Sequence, residues 1–322
     1  MHLNRGIAKY IAKRLALLPL TIFSVITIDF VLIHLAPGGP FQILLSDPSF
    51  SPQEVATLQA EYGLNKPLLI QYFTYIYQVL HGNFGISYFY GVPVIRVIMD
   101  YLPNTLVLAG FSILVSSAIG ILFGILSTSL GGLIDRALNT LAILSYTLPV
   151  FWFGILLILV FSVSLRLLPS TGVYVSNTGF NLAQYLKHII MPTLSLSLLL
   201  YPPVYFFTRS SMLEVAQANF VRALYGKGLS EGVVFRKHVL RNALLPVITV
   251  IGLHGAVLFG GATIVEIVFT WPGMGLLTYT AILNKDYPIL LASVFFYSLL
   301  VAVLNLIVDI VYVFIDPRIN LK

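Results

Sequence analysis

A chain of 322 residues that is 58% hydrophobic and only 9% charged, with a mean hydropathy of +0.94, carries more apolar surface than a water-soluble fold can bury. The excess must face lipid, where every backbone polar group needs an internal partner, and the long unbroken apolar runs select helices over a barrel. The absence of cysteine excludes disulfides, thiolate catalysis and sulfur-ligated metals; the six histidines, His2, His34, His81, His188, His238 and His254, include no pair at metal-ligand spacing.

Residues 1–14, with Arg5, Lys9, Lys13 and Arg14, read as a cytoplasmic amino terminus, and Leu15–Leu35 as a first transmembrane helix. Its apolar core is too long for a cleaved signal, and Leu35-Ala36-Pro37-Gly38-Gly39 offers no small-x-small site, so the span is read as retained. Residues 36–104 form an extracytoplasmic loop with short helices. Ser51-Pro52-Gln53-Glu54 is a capping box with Val55 and Leu58 behind it and Gly63 as a stop. A second short helix is predicted from Pro67 to Leu80, about 20 Å long and unable to cross the bilayer, with Tyr72, Tyr75 and Tyr77 suited to an interfacial position.

Residues 105–315 make the membrane core, with five more spans at Thr105–Leu126, Leu141–Leu165, Ile189–Phe207, Leu244–Val265 and Ile289–Phe314, followed by a cytoplasmic tail at 316–322. The expected fold is therefore an all-α transmembrane bundle of six helices with an external helical segment after the first. Of the 18 Lys and Arg residues, 13 fall on the side of the termini and 5 on the other, which places both termini in the cytoplasm. The net charge of +6 is a topology signal on this reading, and nucleic acid is not expected as a partner.

The cytoplasmic loop at 208–243 is the most polar stretch and holds six basic residues. Glu214–Tyr225 reads as one helix, Gly226-Lys227-Gly228 as a turn and Glu231–Leu240 as a second helix, exposing Phe220, Val221, Leu224 and Tyr225. It is either a solvated connector or a surface for a protein partner; a connector needs far fewer residues. Within the spans, Asp29, Asp309 and His254 are ionisable groups of functional interest. Asp29 reads as a helix–helix hydrogen bond or a group on a translocation path, Asp309 as an interface residue near the cytoplasmic end, and His254 as a packing histidine or a pathway residue. Pro192 and Pro202-Pro203 interrupt the ladder of the fourth span, as pivots or as a fixed bend.

The stretch Asn219-Phe220-Val221-Arg222-Ala223-Leu224-Tyr225-Gly226-Lys227-Gly228-Leu229-Ser230, continued by Arg236-Lys237-His238-Val239-Leu240-Arg241-Asn242-Ala243-Leu244-Leu245-Pro246, closely resembles the cytoplasmic loop of ABC importer permeases. More narrowly it resembles the dipeptide/oligopeptide family, first of the two paired permease types. Glu266 to Gly275, Asp286-Tyr287-Pro288, Asp316-Pro317-Arg318, Gly82-Asn83-Phe84-Gly85 and Leu102-Pro103-Asn104-Thr105 extend the likeness nearly end to end. Two departures stand out: Leu224 replaces a usual small residue of the Glu-Ala-Ala segment, and Ala223 and Gly226 differ from the peptide-type Thr and Ala.

The resemblance implies a type I importer permease that forms half of a translocation pathway in the cell (inner) membrane, beside membrane lipid. Its implied partners are a second homologous permease, two ATP-binding subunits and an extracytoplasmic substrate-binding protein, with no cofactor. The cytoplasmic helix would dock on the ATPase through Phe220, Arg222, Leu224, Tyr225, Gly228 and Leu229, while Asp29 and His254 are candidates for the pathway. ATP hydrolysis is expected in separate chains, since Gly226-Lys227-Gly228 lacks the first glycine and the magnesium-binding hydroxyl of a P-loop. Peptides are the expected cargo, with nickel or oligosaccharides as alternatives. A secondary transporter would bring internal repeats, which are not evident, and an intramembrane protease a facing catalytic pair, whereas Asp29 and Asp309 sit at different depths.

Overall fold

The computed structural model describes residues 2–35, 53, 66–172 and 181–315; the side chains of 2–14, 33, 255–261, 309 and 311–315 are outside that description. The predicted capping-box helix after Ser51 and the tail at 316–322 lie outside the described residues. The elements in chain order are α1 His2–Leu35, α2 Leu68–Leu80, α3 Val94–Leu130, α4 Gly132–Thr147 and α5 Val150–Leu157, which passes into a π-helical turn at Ile158–Ser164. They continue with α6 Leu182–Ala216, α7 Asn219–Gly226, a single turn α8 at Glu231–Val233, a π-helical stretch at Val234–Val239, α9 Leu240–Val268, α10 Met274–Leu283 and α11 Tyr287–Ile315.

The centre is the pairing of α3 with α6. Thr105, Ala109, Ser112, Ser116, Gly120 and Gly124 recur every three or four residues along α3 and are all buried, a stripe of small side chains that lets two helices approach closely. A Cβ at Gly120 would stand 2.6 Å from Cβ of Val204, and one at Gly124 2.6 Å from Cβ of Thr208, so any larger residue would force the helices apart. Leu108, Leu157, Leu196, Leu200, Val265 and Phe269 close the apolar core among α3, α5, α6 and α9. A second cluster, with Val97, Ile98, Met274, Leu277, Ile289 and Phe296, joins the start of α3 to α10 and α11.

Burial ranks the helices. The apolar window of α6 is 67% buried, whereas those of α1 and α11 are 17% buried each, so α6 is central and the other two are peripheral.

Among the described residues, four helices are long and apolar enough to cross a membrane, and a bent pair makes a fifth. The expected span at 141–165 is that pair: Gly132–Thr147 and Val150–Ser164 meet at 102°. The cause is local. Pro149 disfavours helical geometry at the residue before it, and Leu148 is extended, at φ −72° and ψ 131°. The prolines expected to interrupt the fourth span do not end it. Pro192, Pro202 and Pro203 all lie inside the continuous α6, where close packing on α3 holds the helix through each missing N–H.

Two boundaries also move. Helix α3 begins at Val94, eleven residues before the predicted span, and carries Pro103 internally. Helix α6 runs to Ala216 rather than Phe207. The predicted helix at Pro67–Leu80 is present as α2.

Candidate functional site

The cytoplasmic loop folds as a hairpin around three valines. After α6 ends, Ala218 is extended, at φ −65° and ψ 146°, and its carbonyl accepts from the amides of Val221 and Arg222 to start α7. The helix predicted at 214–225 is thus two helices with a break at 217–218. Neither Gly nor Pro marks that break; the burial of Val221, at 1% exposure, against Val234 and Val239 accompanies it.

Val221 was expected on the outside and is instead the core of the hairpin, with Val215 and the half-buried Leu224 packed around it. Burying these residues leaves the rest of α7 and the turn after it facing outward. Phe220 is 43% exposed, Tyr225 46% and Leu229 36%, with Arg222, Ala223 and Lys227 beside them. Gly228 has φ +79°, a left-handed conformation that side-chain-bearing residues resist. Its amide donates to the Tyr225 carbonyl at 2.9 Å and that of Leu229 to Leu224 at 3.4 Å, closing the turn. The second arm, predicted as a separate helix at 231–240, instead continues through its π-helical stretch into α9, because no breaker intervenes and Pro246 is absorbed inside α9.

The hairpin stands on an anchored base. Arg209, near the end of α6, makes a two-pronged ion pair with Asp135 in the first turn of α4, Nε to Oδ1 at 2.6 Å and Nη2 to Oδ2 at 2.7 Å. Ser127 of α3 donates to the same carboxylate and lies 3.1 Å from the Tyr205 hydroxyl, so three helix ends are tied together. A groove of about 600 Å³ runs between this base and the hairpin, with Thr128, Met212, Tyr225, Phe235 and Arg236 along it.

Of the intramembrane candidates, Asp29 is fully buried on the face of α1 that also buries Ile26 and Phe30. His254 is buried in α9. Among the described residues neither carboxylate oxygen of Asp29 nor Nδ1 of His254 has a hydrogen-bond partner, so the two are not joined to each other and the expected bond from Asp29 to a neighbouring helix is not seen. The side chain of Asp309 is outside the described residues.

Two buried carboxylates went unassigned in the sequence. Glu266, at the end of α9, accepts from Thr105 Oγ1 at 2.7 Å and from the amides of Gly275 and Leu276 at 2.6 and 3.1 Å, capping the start of α10. Trp271 Nε1 donates to the Asn104 carbonyl at 3.1 Å and Asn104 Nδ2 to that of Pro272 at 2.9 Å beside it. Asp286 accepts from Ser87 Oγ, from the Phe89 amide at 3.1 Å and from the Ile289 amide at 3.3 Å, fixing the start of α11 to the loop before α3. The signal for Asp286 was present: an aspartate followed two residues later by Pro288 is a helix-start pattern.

Comparison with known proteins fits this architecture. Residues 116–321 match the family described as binding-protein-dependent transport system inner membrane component, and residues 7–109 match the amino-terminal region of such membrane components. The chain is 38% identical over 315 residues to the oligopeptide transport system permease protein AppB of Bacillus subtilis (strain 168), covering 97% of this chain and 99% of that one. It is 34% identical over 336 residues to the dipeptide transport system permease protein DppB of Escherichia coli (strain K12), covering 98% and 99%. A solved structure of the MetNI methionine ABC transporter in inward-facing conformations superposes with a TM-score of 0.51 at 16% identity, over 69% of this chain and 97% of that one, a likeness of fold. The chain therefore belongs to the family of inner membrane components of binding-protein-dependent transport systems, as a multi-pass membrane protein.

Proposed function

We propose that this chain is the permease subunit of an ATP-driven importer of di- or oligopeptides, crossing the membrane six times with both termini in the cytoplasm. It supplies half of the pathway, a second homologous permease supplies the other half, and two ATP-binding chains and an extracytoplasmic binding protein complete the machine. The peptide cargo is supported by the printed names of the relatives, and the orientation by the asymmetry of Lys and Arg.

The observation that carries the reading is the exposed surface of α7 and of the turn after it. Phe220, Tyr225 and Leu229 stand exposed on a rigid valine core, at the end of the most buried helix, with Arg222 and Lys227 available to acidic groups. Aromatic anchors on a fixed scaffold suit a groove on a protein partner better than solvent. The hairpin then passes a partner's motion both into α6, which precedes α7 across a two-residue break, and into α9, into which its second arm continues. His254, on α9, and Asp29 are the proposed polar groups of the pathway.

Gly228→Val tests this. A branched side chain resists the positive φ there, at a cost of roughly 1 to 3 kcal/mol, while the space around the glycine is open. In proteoliposomes holding the assembled complex, the variant should insert normally yet lose most transport and most of the ATPase response to loaded binding protein, with Arg222→Ala milder. Wild-type transport by Gly228→Val would leave the solvated connector as the better account of the loop.

A further inference from the structure

Helix α2 is thirteen residues long, holds no Asp, Glu, Lys or Arg, and presents two different apolar faces. One is turned toward α1. The Tyr72 hydroxyl shares a 2.7 Å hydrogen bond with Thr27, the Phe30 ring lies 5.2 Å from that of Tyr72 and 5.9 Å from that of Tyr75, and Val79 is buried. His34 Nε2 meets Gln71 Oε1 at 3.1 Å. Tyr72 and Tyr75, expected at the headgroups, are therefore fastening groups between helices.

Among the described residues, the opposite face has no protein cover. Leu69, Phe73, Tyr77 and Leu80 fall within one arc of a 3.6-residue helix and are 61–68% exposed. On the neighbouring α1, Ile28, Val31, Leu32 and Leu35 are also exposed. In a family of inner membrane components, the uncovered surface of a peripheral apolar helix meets acyl chains. At about 1.5 Å per residue α2 reaches some 20 Å, too little to cross, and it lies beside the part of α1 from Phe23 to His34. Lys66 before it and His81 after it suit the wet margins.

We propose that α2 is a lipid-facing strut: Leu69, Phe73, Tyr77 and Leu80 lie among the acyl chains of the leaflet reached by the carboxyl end of α1, while Tyr72 and Tyr75 hold that end of α1 in place. The outer leaflet is meant, which rests on the orientation proposed above; contact with lipid does not.

The chain has no native cysteine, so single nitroxide labels report cleanly. Phe73→Cys, Leu80→Cys and Tyr77→Cys would be labelled in the assembled complex in proteoliposomes, with Leu32→Cys on α1 and Ser230→Cys on the cytoplasmic turn as references. The collision rates of each label with oxygen and with a water-soluble nickel chelate would be measured. The α2 labels should match Leu32→Cys, favouring oxygen several-fold over their values at Ser230→Cys. Preference for the chelate would mean the face is in water, and immobile labels shielded from both would mean that another protein covers it; either overturns the proposal. Three positions on one face keep the measurement intact if one variant does not fold. Chelate-accessible Leu32→Cys would instead fault the membrane-spanning reading of α1.

Discussion

A single carboxylate at Glu266 joins α3, α9 and α10. Burying such a group is costly unless its oxygens are satisfied, and here a hydroxyl and two amides satisfy them. Removing it strands those donors in a dry corner beside the fully buried Trp271. Glu266→Ala should therefore destabilise the protein by about 3 kcal/mol, as expected for two or three buried donors left without an acceptor. Glu266→Gln, which keeps one acceptor oxygen, should lose clearly less. Thermal unfolding of the purified complex in detergent checks both, and equal losses would mean that shape rather than hydrogen bonding matters at this position.

At the scale of elements, the sharp bend falls at Pro149, whereas α6 runs on unbroken through its three prolines. A proline removes one N–H and crowds the preceding turn, but neighbouring packing decides whether the helix yields. On α6 the packing against α3 keeps the helix continuous; between α4 and α5, Leu148 is left extended. Packing also holds α5 where it is, since a Cβ on Gly154 would lie only 3.1 Å from the Phe269 ring. Pro149→Ala separates these two influences. If the proline sets the angle, the distance between spin labels at Ile134→Cys and Val163→Cys should lengthen as the 102° bend opens. An unchanged distance would assign the bend to the contact with α9.

For the whole molecule, the distribution of 13 basic residues against 5 sets the expected orientation. Lys66→Cys, exposed before α2, should react with an impermeant thiol reagent from outside intact cells, whereas Ser230→Cys, exposed in the turn after Gly228, should react only after the membrane is opened. The reverse pattern would invert the protein in the membrane and put the hairpin out of reach of any ATP-binding chain.

The all-helical, apolar character of the chain, the short helix before α3 and the glycine turn at Gly228 were legible in the chain, because each depends on local chemistry: run length, a stop residue, a positive backbone angle. The excess of apolar residues sufficed to assign the protein to a membrane. Which face of each element points inward was another matter. Val221 reads as exposed beside Phe220 and Tyr225, and only the return of the chain through Val234 and Val239 buries it. Glu266 reads as one acid at the end of an apolar run until folding brings up Thr105, 161 residues away in the chain. Tyr72 reads as a headgroup tyrosine until α1 supplies Thr27. In hydrocarbon, lipid-facing and protein-facing positions are equally apolar, so the amphipathic pattern that betrays the inner face of a soluble helix is weak, and only packing against neighbours distinguishes the two.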